Sequence, residues 1–179
     1  MKRDINRLLA MSFVFSVIAA AYTCRMLAKF DIGGVYSNYL RAALYLLLFA
    51  LWGVALDRRI IQKPVLHCLR LTAALMLLWL TLRTLKYEVV TDPTVMRYVW
   101  YLYYLPMLFI PLLGVYIALS LGQPERYRIT GKSATLVIFP TVLFLFVITN
   151  DLHQQVFAFQ GGFLDGGVYT HRPLYFACL

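Results

Sequence analysis

The sequence predicts an all-α membrane protein: a polytopic helical bundle with about five transmembrane helices, the start of a sixth, and a cytoplasmic N-terminus. Three observations carry this. Of the 179 residues, 61% are hydrophobic, and the mean hydropathy is +0.71, whereas a soluble domain is about half apolar. The apolar residues fall into five runs, most of them near the roughly 20 residues that a helix needs to cross about 30 Å of hydrocarbon. The positive charges collect on alternate loops, as they do across a cytoplasmic membrane.

The first run covers residues 8–28 and follows Lys2, Arg3 and Arg7. It continues past the small residues Ala19, Ala20 and Ala21, which fits an uncleaved span better than a cleaved signal peptide. The second, 36–56, starts after the turn residues Gly33 and Gly34. The third, 65–84, follows Pro64. The fourth, 98–121, opens on Tyr98, Trp100, Tyr101, Tyr103 and Tyr104 and closes at Gly122 and Pro124. Pro106 and Pro111 each lack a backbone donor, so a bend is expected in this helix. The fifth, 134–157, is uncharged up to Thr149 and reaches spanning length when Leu152, Val156 and Phe157 extend it. The tail "GGVYTHRPLYFACL" reads as a loop entering a further apolar span, and the chain stops at Leu179 before that span could cross. The sequence therefore reads as one membrane-embedded domain, 1–179, cut from a longer protein and without a soluble output domain.

The net charge is +9. With the N-terminus inside, nine basic residues lie on inner segments (Lys2, Arg3, Arg7, Arg58, Arg59, Lys63, Arg126, Arg128 and Lys132), and four lie on outer loops (Lys29, Lys86, Arg97 and Arg172). The excess is thus topology and attraction to anionic lipid. It supplies no folded basic face for nucleic acid. Cys24, Cys68 and Cys178 are scattered, without CxxC spacing or a Cys/His cluster, and read as packing residues. No metal or other cofactor is expected. "GGFLDGG", 161–167, lacks phosphate-loop spacing and reads as a turn.

Ionisable residues inside spans are costly and point to function. On this topology most polar groups share one outer layer: Arg25, Asn38 with Arg41, Arg83 with Lys86, and the cluster Asn150, Asp151, His153 and Gln154. On a helix Asn150, His153 and Gln154 would share a face. Asp151 needs a counter-charge, for which Arg25, Arg41 and Arg83 are the candidates. The bland alternatives are arginines snorkelling to headgroups, an aromatic belt, and a hydrogen-bonded helix cap. His153 beside Asp151 lacks an evident nucleophile, so catalysis is not expected.

Two stretches carry a family resemblance. "YLYYLPMLFIPLLGVYIALSLGQPERYR" (101–128) and "TNDLHQQVF" (149–157) resemble the N-terminal seven-transmembrane region of bacterial sensor histidine kinases. That family shows a "YYxPxLxIPLL" run, an "LGKPE-YR"-like inner loop and "TNDLHQLVF". Gln123 and Gln155 stand where lysine and leucine are usual. The resemblance covers 97–157 well and the earlier spans generally. It implies a membrane signal detector of two-component signal transduction in the bacterial cytoplasmic (inner) membrane, joined to a cytoplasmic kinase or another output module. It also implies that two of seven spans are missing, and that this chain, lacking a phosphoacceptor helix and an ATP-binding lobe, is not itself an enzyme.

The resulting expectation is a sensor of an unknown small ligand or membrane signal. Asn150, Asp151, His153 and Gln154 would form its polar centre, Arg41 and Arg83 its counter-charges, and Tyr101 and Tyr104 its walls. The lipid bilayer is the expected partner, and a second copy of the chain is a further candidate. Two rival classes are a small transporter or permease subunit, and a structural membrane partner. The crowding of charge into one layer, away from the midplane, argues against transport.

Overall fold

The computed structural model describes residues 2–30, 34–56, 62–123, 131–159 and 169–178, with side chains described for all of these except 2–10, 28–29, 34–35 and 132. The arginines Arg58, Arg59, Arg126 and Arg128, expected on inner loops, and the glycine-rich segment 161–167 lie outside them, as do the side chains of Lys2, Arg3, Arg7, Lys29 and Lys132.

The chain is mostly helical. In order it forms α1 (Lys2–Lys29), α2 (Gly34–Leu56), α3 (Lys63–Thr84), a π-helical turn (Leu85–Val89), α4 (Pro93–Tyr101), α5 (Tyr104–Ser120), a 3-10 segment (Gly131–Val137), α6 (Ile138–Ile148) and the single turn α7 (Asn150–His153). Strands β1 (Phe157–Phe159) and β2 (Tyr169–His171) and the short helix α8 (Pro173–Ala177) complete it. Consecutive long helices pack side by side: α1 on α2, α2 on α3, α3 on α5 and α5 on α6.

Three helical stretches of the described residues are long and apolar enough to cross a membrane: Tyr36–Leu56, Lys63–Val89 and Pro93–Ser120. The segments Met11–Leu27 and Ser133–Ile148 are apolar but shorter. Leu47, Leu51 and Val54 on α2 and Phe139, Val142 and Leu145 on α6 are exposed, as suits surfaces facing lipid. Hydroxyls fold back onto their own helices. Ser16, Thr23, Thr72, Thr81, Thr84, Ser120 and Thr141 each donate to the carbonyl four residues earlier, at 2.7–3.0 Å. Such bonds satisfy donors where no water can. Gly53 lets α2 approach α3, since a Cβ there would stand 3.4 Å from the Ala73 Cβ.

Three expectations are corrected. The all-α reading gives way to a two-stranded antiparallel ribbon, in which Phe157, Ala158 and Phe159 pair with His171, Thr170 and Tyr169. The aromatic residues of both strands suit a pleated, half-buried surface. An open ribbon has unpaired edge groups, so it belongs outside hydrocarbon. The fifth span does not run on to 157. The helix breaks at Thr149, makes one more turn, and reverses at Gln154 with left-handed backbone, φ 49° and ψ 37°. Val156 and Phe157 enter the ribbon side.

Residues 85–97 are likewise not an open loop. The π turn extends α3, and α4 starts at Pro93. Asp92 caps α4, its Oδ1 accepting from the N–H groups of Thr94 (2.8 Å) and Val95 (2.9 Å). The interruption between α4 and α5 falls at Leu102 and Tyr103, ahead of Pro106. Pro106 sits in the first turn of α5, where its missing N–H costs nothing, and Pro111 lies inside the helix.

Replacing Asp92 with alanine removes the α4 cap and lowers stability by about 1 kcal/mol, while Asp92→Ser retains most of it. Thermal unfolding of the purified protein in detergent micelles checks this.

Candidate functional site

The end of the bundle where α6 meets the ribbon is organised by the way α6 stops. Thr149 leaves the helical conformation at φ −95° and ψ 10°, and its Oγ1 donates back to the Leu145 carbonyl at 2.6 Å. This turns the next residue, Asn150, inward, where it is fully buried. Asn150 then uses its whole hydrogen-bonding capacity. Its Oδ1 accepts from the Val156 and Phe157 N–H groups, both at 3.0 Å. Its Nδ2 donates to the Phe157 carbonyl at 2.9 Å and to the Tyr101 hydroxyl at 3.3 Å. The side chain thereby performs for the start of β1 what a neighbouring strand would otherwise do.

The network continues through Tyr101, also fully buried. Its hydroxyl donates to Asp151 Oδ1 at 2.7 Å, and Asp151 Oδ2 meets Arg97 Nη2 at 3.0 Å. The counter-charge of Asp151 is therefore Arg97, not Arg25, Arg41 or Arg83. The reason is local. Once 93–101 is helical, Arg97 and Tyr101 stand four apart on one face of α4. The Asp92-Pro93 start signal and this spacing are the features of the sequence from which Arg97 could have been found. Both side chains of the pair are 22% exposed, so the charge-assisted bond is partly shielded from water and stronger than a surface pair.

His153 and Gln154 do not join this centre. The His153 Nδ1 accepts from the Gln155 N–H at 3.0 Å, which fixes the neutral Nε2–H tautomer. Nε2 then faces Thr149 Oγ1 at 3.3 Å, and the ring stands edge-on to Phe146 at 5.5 Å. The imidazole braces the chain reversal with both nitrogens. Gln154 is exposed and supplies the left-handed residue of that reversal. The shared helical face fails because the helix ends there.

Tyr104 belongs to an aromatic core beneath the ribbon. The core centres on Phe157, which is fully buried. Around it stand Trp100 at 4.6 Å, Tyr104 at 5.7 Å, and Tyr169 and Tyr175 at 5.6 Å between ring centroids. His171 stacks on Tyr175 at 3.8 Å. Val147, Val156 and Cys178 complete the core. Cys24, Cys68 and Cys178 are buried free thiols. Among the described residues, no three His, Cys, Asp or Glu side chains gather as metal ligands.

Arg41 and Arg83 meet elsewhere, at a polar pocket of about 50 Å³ between α2 and α3 that is also lined by Asn38, Tyr45, Thr84 and Glu88. Arg41 Nη2 donates to Asn38 Oδ1 at 3.1 Å, and the Tyr39 hydroxyl donates to the Glu88 carbonyl at 2.9 Å. This pocket shares no lining residue with the Asn150 network. A larger apolar groove of about 430 Å³ runs between α3 and α5, walled by Met76, Trp79, Trp100, Tyr103, Tyr104 and Met107. Its volume is in the range of small-molecule sites. Sequence reasoning did not single out Met76, Trp79 or Met107, which read as ordinary apolar span residues.

Comparison of the chain with protein-family models, with curated proteins and with solved structures found no significant match.

Asn150→Ala leaves two buried N–H groups and a carbonyl without partners and is expected to destabilise the protein by about 3 kcal/mol or more. Tyr101→Phe, which keeps the ring in the core, is expected to cost about 1–2 kcal/mol. Unfolding of the two variants in detergent, followed by tyrosine and tryptophan fluorescence, tests this order.

Proposed function

We propose that the chain is the membrane signal-sensing region of a bacterial sensor histidine kinase, as the resemblance of 97–157 implies. It would lie in the cytoplasmic membrane with its N-terminus inside and cross five times. The three long apolar stretches would be joined in spanning by the segments around Met11–Leu27 and Ser133–Ile148. The alternation of basic residues favours this orientation.

The observation that supports a sensing role best is the continuous line from the Phe157 backbone through Asn150, Tyr101 and Asp151 to Arg97. It joins the ribbon, which belongs outside the hydrocarbon, to α4 and to the end of α6. A detector needs an element with two arrangements that its signal weights differently. Here Asp151 is the adjustable member. Its carboxylate is partly exposed and makes one bond with each oxygen, which leaves acceptor capacity. A ligand donor or cation reaching Asp151 would compete with Arg97 and loosen α4 from the end of α6. The helix shift would pass to a cytoplasmic output module.

A purely structural membrane partner is the second reading. It is favoured by the saturation of Asn150, which has no bond left for a ligand. The readings part in an assay of the chain joined to its output module. Asp151→Asn and Arg97→Gln should each change output at least severalfold while membrane insertion and expression stay normal. Unchanged output with lowered thermal stability would sink the sensing role and leave the structural one.

A further inference from the structure

The groove between α3 and α5 combines two features that ordinary helix packing does not require. Its walls are apolar and aromatic: Met76, Trp79, Met107 and Ile110, with Trp100 and Tyr103 toward one end. At that end stands a cation. Lys86, on the π turn that extends α3, places its Nζ 5.4 Å from the Trp100 ring and 5.7 Å from the Tyr103 ring, and 5.2 Å from Tyr87. Ring faces hold an ammonium in place without neutralising it. No carboxylate of the described residues pairs with Lys86, and Glu88 lines the pocket shared with α2. Met107 and Pro111, on the α5 wall, are exposed, so the groove opens sideways to the surface that faces lipid.

We propose that this groove is a binding site for an anionic phospholipid of the surrounding bilayer, with an acyl chain lying between α3 and α5 and the phosphate at Lys86. An apolar slot alone would accept any hydrocarbon. The positive charge at its rim selects a molecule with a negative group directly beside its chain. Trp100 links the site to the rest of the molecule, because it lines the groove and also packs on Phe157 at 4.6 Å. Lipid in the groove therefore supports the aromatic core under the ribbon. Binding stands independently of the sensing role; its use as a signal rests on that reading.

The tryptophans provide the test. The chain contains Trp52, Trp79 and Trp100, and W52F leaves only the two that line the groove. The full chain carrying W52F is reconstituted in phosphatidylcholine vesicles with a small, equal fraction of bromine-labelled phosphatidylglycerol or bromine-labelled phosphatidylcholine. The site predicts that the anionic lipid quenches with an apparent affinity about fivefold higher, the effect of one basic residue against anionic lipid. Lys86→Gln in the same background should remove the preference while leaving quenching by phosphatidylcholine unchanged. Equal quenching by the two lipids before Lys86 is altered overturns the proposal, as does a preference that survives K86Q. Weak and equal quenching by both would assign the groove to a second copy of the chain. Should K86Q fail to insert, the comparison of the two lipids on the W52F chain decides alone. Kinase output plays no part in this readout, so its failure is distinct from failure of the sensing role.

Discussion

One buried amide holds the ribbon end of this protein together. The end of α6 leaves carbonyls without partners, and the start of β1 needs partners for its own N–H and carbonyl groups. In a low-dielectric setting each unmatched group is expensive. Asparagine is the shortest side chain that offers two donors and two acceptor positions at once. Asn150 reaches the amides of Val156 and Phe157, the Phe157 carbonyl and a tyrosine hydroxyl from one spot. Aspartate in its place would lack the donors, and leucine would lack everything. The position of Tyr101, the orientation of Asp151 and the pairing with Arg97 all follow from that single placement, as does the seat of Phe157 in the aromatic core.

The geometry around Asn150 also separates roles that lie side by side in the chain. Asn150 is saturated and buried, and so acts as structure. Asp151, one residue on, is half-open and paired to a charge on another helix, and so can respond to its surroundings. His153 supports the reversal, and Gln154 makes it. Four adjacent polar residues that look like one cluster in sequence thus do different work, because the chain changes conformation twice within them.

The long helices were legible because their signals are strong and local. The span read as 36–56 coincides with Tyr36–Leu56, and the span read as 65–84 lies within Lys63–Val89. What escaped was whatever depends on conformation between spans. Hydropathy cannot tell a strand from a helix over so few apolar residues, so Phe157, the first residue of β1, was absorbed into the fifth span, 134–157. A conventional loop was assumed across 85–97, although Asp92-Pro93 is a helix start, and that assumption hid Arg97. Residue type picks out Asn150, Asp151 and Tyr101, which share one hydrogen-bond network, with Tyr101 expected as a wall and not as a link in it; Arg41 and Arg83 were grouped with them by depth alone. Depth is one coordinate, and two residues at equal depth can stand on different sides of a bundle.

At the start of α3, far along the helix pair from Lys86, Gln62 makes a quieter contact. Its Nε2, just ahead of α3, donates at 2.9 Å to the carbonyls of both Ser120 and Gln123, where α5 ends. One side chain thus ties the N-cap of one helix to the C-terminal end of another and satisfies carbonyls left open there. Two rods pinned at one end have a restricted repertoire. They cannot slide past each other at that end without breaking both bonds, so the pin sets how far along α5 each turn of α3 stands.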